Sequence, residues 1–328
     1  MEVKTLRGKL FLHSASKFFS MLAAPGLALI LVAPVVAQEP AQVPTLKATV
    51  NLVNLFATVR DKNKRIVRDL QQKDFKIYEE NQEQAIAFFS KEVTLPITLG
   101  LLIDTSGSER NRLGAEQEAA TRFMERVMRK GDEAMVISFD FNVDLLVDFT
   151  DDPAQIARAI NKARIGAVSG GGTPGPIPSN IGGTHFYDAV YLACSEKLAT
   201  EAGRKALVII TDAQDEGSKL KLEEAIEAAQ RTDTVVHVLL IHDPGFSWRP
   251  DVAKKLSDET GGRTIELSSE KKLMEAFDQI SEELRSQYTV GYYPANAAKD
   301  GKFRKIRVAT TNKDYKILAR KGYYAPQG

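Results

Sequence analysis

Four runs of this sequence are apolar along their whole length: ITLGLLI (97–103), AMVISF (134–139), ALVIIT (206–211) and VVHVLLI (235–241). A strand with water on one face alternates apolar and polar residues, whereas a strand apolar on both faces needs cover on both sides. A parallel sheet between two helical layers supplies that cover. The stretches between the runs have helical spacing: Ala120, Phe123, Met124 and Val127; Ile156, Ile160 and Ala163; Leu273, Phe277, Ile280 and Leu284. Asp152-Pro153 is a start signal, a capping carboxylate followed by proline at the first helical position. Strand and helix alternating over residues 96–285 predict an α/β domain, a doubly wound, mostly parallel sheet that offers ligands the carboxyl ends of its strands.

The flanks read differently. In TVNLVNLFATVR, Val53, Leu55, Ala57 and Val59 alternate with Asn54, Phe56, Thr58 and Arg60, and two short strand-like runs follow around Glu79–Gln82. Beyond Arg285, YTVGYY, KFRKIRVAT and YKILAR are short, alternating and separated by turn residues. Neither flank alone has enough strands to bury a face. The expectation is a small antiparallel β-sandwich, with the N-terminal segment (38–95) paired through residues 45–95 to the C-terminal segment (286–328).

Residues 1–37 read as an export signal. Lys4, Arg7, Lys9 and Lys17 precede an uncharged stretch from Phe18 to Gln38, and Val35-Val36-Ala37 fits cleavage after Ala37. A secreted or periplasmic protein is expected; a membrane anchor is the alternative if the segment stays uncleaved, since the run is long enough to span a bilayer. With 44 basic and 43 acidic residues the chain has no bulk charge with which to hold nucleic acid. Its one cysteine, Cys194, excludes an internal disulfide and a cysteine-rich metal site.

The chemistry gathers at predicted strand ends. Asp104-Thr105-Ser106-Gly107-Ser108 follows the first apolar run directly, Thr184 stands in the loop before a helix, and Asp212 ends ALVIIT. Asp104, Ser106, Ser108, Thr184 and Asp212 are an all-oxygen set, which suits a hard divalent ion and not zinc or copper. Mg²⁺ is the first choice, with Mn²⁺ or Ca²⁺ as alternatives.

This pattern resembles the von Willebrand factor type A domains, whose metal-ion-dependent adhesion site is built from D-x-S-x-S, a distant Thr and a later Asp. The flanking VRDKNKRIVRDLQQKDFKIYEEN and QYTVGYYP are similar to those of exported VWFA-related proteins of acidobacterial type. The resemblance implies a Rossmann-like, protein-binding module whose ion takes a partner's Asp or Glu carboxylate, and not an enzyme. Two other classes use the same edge: a metal-dependent phosphate-ester hydrolase, and a structural component of an envelope assembly.

Nearby groups are read as supports. Asp188 is expected to bond backbone, Asp215 and Glu216 to be solvated, His185 to be structural or exposed, and Cys194 to be buried and inert. Ser106 has no G-x-S-x-G elbow, so a hydrolase triad is set aside. No G-x-G-x-x-G follows the first strand and the glycine- and proline-rich stretch 166–183 lacks G-K-[ST], which excludes a dinucleotide site and a P-loop. KFRKIR is expected to be an exposed strand face and Trp248 to pack locally.

Overall fold

The computed structural model describes residues 52–91, 95–166, 183–241 and 247–328. The expected signal segment with its cleavage point, and nearly all of the 166–183 stretch, lie outside the described residues. No described helix is long and apolar enough to cross a membrane.

In chain order the elements begin with strands β1 (Val53–Arg60), β2 (Phe75–Glu79), β3 (Gln82–Gln84) and β4 (Ile86–Ser90). The middle of the chain supplies β5 (Ile97–Asp104), α1 (Leu113–Val127), β6 (Glu133–Phe139), β7 (Val143–Thr150), α2 (Pro153–Ile160) and α3 (Phe186–Leu192), the last continued by a π-helical turn at Ala193–Lys197. After them come β8 (Arg204–Thr211), α4 (Leu222–Arg231), β9 (Thr234–Ile241), α5 (Pro250–Thr260), β10 (Thr264–Leu267) and α6 (Glu270–Leu284). Strands β11 (Tyr288–Tyr292), β12 (Phe303–Thr310), β13 (Lys316–Leu318) and β14 (Gly322–Tyr324) end it.

The central sheet runs β10-β9-β8-β5-β6-β7 and is parallel except for β7, which returns antiparallel along β6 at the edge. Two apolar layers explain its all-apolar strands. Leu101, Ile103, Val208 and Ile210 pack with Phe123 of α1, Ile156 of α2 and Phe277 of α6 on one face. Their neighbours Leu102, Leu207 and Ile209 face Phe186 of α3, Ala225 of α4 and Leu256 of α5. Phe123 and Phe277 stack with ring centroids 4.6 Å apart. The Asp152 carboxylate accepts the Ala154 N–H at 2.8 Å and so caps α2, the start that its sequence announces.

Two antiparallel sheets flank this layer, ordered β13-β1-β11-β4 and β14-β12-β2-β3. Both ends of the described chain contribute to each sheet: β11 lies between β1 and β4 in the first, and β12 pairs with β2 at the middle of the second. Leu55, Ala57, Val59, Ile77, Val290 and Tyr292 form their shared core, where Tyr292 and Tyr323 each donate a hydroxyl to Glu79. Three strands, not two, fill residues 75–90. Glu80 and Asn81 adopt positive φ and fold β2 onto β3, and the chain then leaves for the other sheet as β4. In KFRKIR, Lys305 and Arg307 are exposed as expected, but Arg304 is buried beside Ile306, its charge met by Asp300 at 2.8 Å.

Candidate metal centre

The sheet order reverses between β5 and β8. Chain leaving β5 builds β6 on one side, while β8 is laid down on the other, with Ile103 paired to Ile210. Loops leaving the two strands therefore diverge and open a crevice at their carboxyl ends. Asp104 ends β5 and Asp212 follows β8, so adjacent strands in register carry the two carboxylates to one point.

Asp104 is fully buried. One of its oxygens accepts the Ser106 N–H at 2.9 Å and the other the Thr211 hydroxyl at 2.6 Å. The Ser106 and Ser108 hydroxyls lie 3.0 Å apart, hydrogen bonded respectively to Asp104 and Asp212. Asp212 is pinned through its main chain, its carbonyl accepting the Arg249 N–H at 2.9 Å. Thr184 comes from the segment before α3 and is tied on both sides: its carbonyl accepts the Glu216 N–H at 2.9 Å, and the N–H of His185 donates to the Asp140 carbonyl at 2.7 Å. Ser106, Ser108, Thr184 and Asp212 line one cleft of about 340 Å³, with Asp140 and Glu216 at other points of its wall. Four of the five expected residues thus share a wall, and the fifth, Asp104, is hydrogen bonded to one of them, Ser106, from its buried position.

Two glycines allow the wall to close. A Cβ on Gly166 would sit 2.3 Å from an Asp140 carboxylate oxygen, and one on Gly183 would sit 2.3 Å from the Glu216 carbonyl. Only a residue without a side chain lets the backbone pass so close.

One neighbour of the site escaped the motif reading. The 3₁₀ turn Gly107–Glu109 turns the Glu109 side chain inward, to 1% exposure, and brings one of its oxygens within 4.8 Å of oxygens on Asp104 and Asp212. Glu116, in the first turn of α1, is equally buried. Among the described residues no N–H or hydroxyl donates to Glu109 Oε2 or to either carboxylate oxygen of Glu116, and the two carboxyls meet each other. The available signal was spacing: a glutamate one residue after the motif and another at the start of an amphipathic helix, seven apart and so on one helical face if the turn between them continued it.

Like charges in a dry place resist ionisation. Burial, with the Asp212 charge next in weight, pushes Asp104 up to about 7; burial raises Asp212 as well. Glu109 and Glu116 are raised, chiefly by burial, and Glu109 further by the charge of Glu116. A cation is the group this arrangement favours, because it offsets every one of those repulsions at once. The donors are all oxygen and include two buried carboxylates, Asp104 and Asp212, so the residues fit a hard divalent ion.

The remaining side chains divide. Asp188 accepts the N–H groups of Lys219 and Leu220, a backbone role as expected. Asp215 is not a solvated acid: it accepts the Tyr187 N–H at 3.1 Å and the Ser218 hydroxyl, and so fastens α3 to the loop after β8. Glu216 is exposed. The half-buried His185 ring packs over Gly217, and Trp248 packs against the core that α3, α4 and α5 share. Cys194 is buried, and burial pushes its thiol up to about 12.

Comparison with known proteins places these features. No curated protein matches the chain by sequence. Among solved structures it is similar to a von Willebrand factor type A protein from Catenulispora acidiphila, at 14% identity and TM-score 0.50, over 79% of this chain and 75% of that one. It is also similar to proximal thread matrix protein 1 from the mussel byssus with a zinc-occupied MIDAS motif (17%, TM-score 0.47, 63% and 49%). A third similar structure is the vWF domain of the type V pili tip protein Mfa5 from Porphyromonas gingivalis (15%, TM-score 0.45, 58% and 95%). Residues 99–215 match the family model of the von Willebrand factor type A domain, which spans β5 to the loop after β8 and every residue of the expected site. Residues 99–215 are thus the part of this chain that matches the von Willebrand factor type A domain.

Proposed function

We propose that this chain is an exported protein-binding module that captures an acidic group of a protein partner through a divalent cation, Mg²⁺ first, held by Asp104, Ser106, Ser108, Thr184 and Asp212. One observation carries the reading: oxygen donors from three separated segments meet at the switch point of a doubly wound sheet, and four of them line an open cleft. A bound Mg²⁺ supplies an electrophilic position that a partner's Asp or Glu can occupy, since the ion keeps part of its water and exchanges it.

The protein's part is to hold that position open. Asp104 and Asp212 supply negative charge from the strand ends. Ser106 and Ser108 supply neutral donors and are already aligned by their contacts with the carboxylates. Thr184, fixed between the exits of β6 and β8, lines the same cleft and adds a third neutral donor. Neutral donors in such a set leave the ion a replaceable water position for a partner's carboxylate, which is a binding device rather than a bond-breaking one. Export is carried by the charged-apolar-small order of residues 1–37.

The test is capture from an envelope extract by wild type, by wild type in EDTA, and by Asp104→Ala. Partners lost in both of the last two conditions support the reading. Partners retained in both, or magnesium-dependent turnover of phosphate esters abolished by Asp212→Asn, would replace it with the structural or the hydrolytic alternative.

A further inference from the structure

We propose that Glu109 is a third protein carboxylate on the cation, supplied from inside the fold, and that Glu116 is the residue that positions it; this rests on reading the cleft as a cation site. The D-x-S-x-S pattern ends at Ser108, so Glu109 belongs to none of the five expected ligands. Geometry brings it to them. Its oxygen lies within 4.8 Å of one oxygen each of Asp104 and Asp212. Metal–oxygen distances of about 2.0–2.6 Å allow one ion to bridge donors that far apart.

The independent observation is what Glu109 lacks. At 1% exposure it is closed to solvent, and among the described residues no N–H or hydroxyl donates to its Oε2; the side chain it meets is another carboxyl, that of Glu116. Burying a carboxylate without a partner is costly, so such a group is normally paired or bound to metal. Behind it lies the equally buried Glu116, whose carboxyl meets that of Glu109 and which the Arg112 charge reaches from the side. Two carboxyls in contact need a proton between them, and a cation beside Glu109 would take that proton's place. Adding Glu109 to Asp104 and Asp212 also changes the ion the site prefers. Three carboxylates favour Ca²⁺, which accepts more oxygens in looser geometry, over Mg²⁺, which demands near-octahedral order and keeps its waters.

The experiment is calorimetric titration of the purified protein with CaCl₂, MnCl₂ and MgCl₂, comparing wild type with Glu109→Gln, Glu109→Met, Glu116→Gln and Asp104→Ala. Glu109→Gln and Glu109→Met are expected to weaken Ca²⁺ and Mn²⁺ by tenfold or more, and Mg²⁺ by less. Glu116→Gln is expected to weaken Ca²⁺ by about tenfold, the usual cost of losing a group that orients a ligand. In EDTA the three glutamate variants should melt at or above the wild-type temperature, which separates a lost ligand from a damaged fold. Affinities unchanged in Glu109→Gln and Glu109→Met but abolished in Asp104→Ala would overturn the role of Glu109 and leave the five-residue site standing. No binding by wild type would overturn that site, and this inference with it.

Discussion

Asp104 can be tested through pH, because its carboxyl is held up to about 7 against an ordinary 3.8. A raised folded-state pKa means the folded protein binds the proton more tightly than the unfolded chain. Stability from that source is fully present below about pH 4 and is lost as pH climbs through 7. Glu109 and Glu116 are raised in the same sense. His237 acts oppositely, since burial lowers it to about 3, but it is neutral in both states above about 7 and leaves the alkaline window clear. The Asp104 contribution is gone by about pH 7, so in EDTA a continued fall of the melting temperature from pH 7 to 9, by about 2–4 °C for each kcal/mol lost, reports Glu116 and Glu109, raised to about 8 and about 10. Saturating divalent cation should flatten that slope, since the ion takes the protons' place; an equal slope with and without metal would refute the account. Cys194 gives a second residue-scale outcome. With its thiol near 12 and the side chain buried, it should resist iodoacetamide at pH 8 until denaturant is added.

Single elements carry their own predictions. The cap of α2 rests on the contact from Asp152 to the Ala154 N–H, so Asp152→Ala should cost about 1 kcal/mol by chemical denaturation and leave metal binding untouched. At α6 the stakes are higher. Glu283, near its C-terminal end, is fully buried and paired with both Arg60 of β1 and Arg263. Glu283→Gln leaves two guanidinium groups without their counter-charge, and breaking a buried pair in this way should cost about 3–5 kcal/mol. A change under 1 kcal/mol would mean that water reaches these arginines on mutation. Helical spacing located α1, α2 and α6 because their apolar residues face a flat sheet. It said nothing of Glu283, since a charge on the buried side of a helix looks like any surface charge until its partners, 223 and 20 residues away in sequence, are known.

For the whole molecule, the pairing of both chain ends in the same sheets implies that neither end persists without the other. Deleting residues 287–328 removes the neighbours of β1, β2 and β4, and the segment 52–91 should then become a protease target while the central sheet keeps its protection. The sequence alone determined the α/β layer and its five-oxygen pattern, because continuous apolar strands, helical spacing and a motif read residue by residue are local signals. It also announced short alternating strands on both flanks, but the assignment of β2, β3 and β4 turned on two residues of positive φ that propensity does not mark. Only the tertiary structure decided which charges go inside. Asp215 left solvent for the N-terminus of α3, Arg304 turned toward the core, and Glu109 joined the carboxylates of two strand ends. The physical reason is that a strand's apolar faces are written in its own residues, whereas the burial of a charge depends on partners that folding brings from elsewhere in the chain.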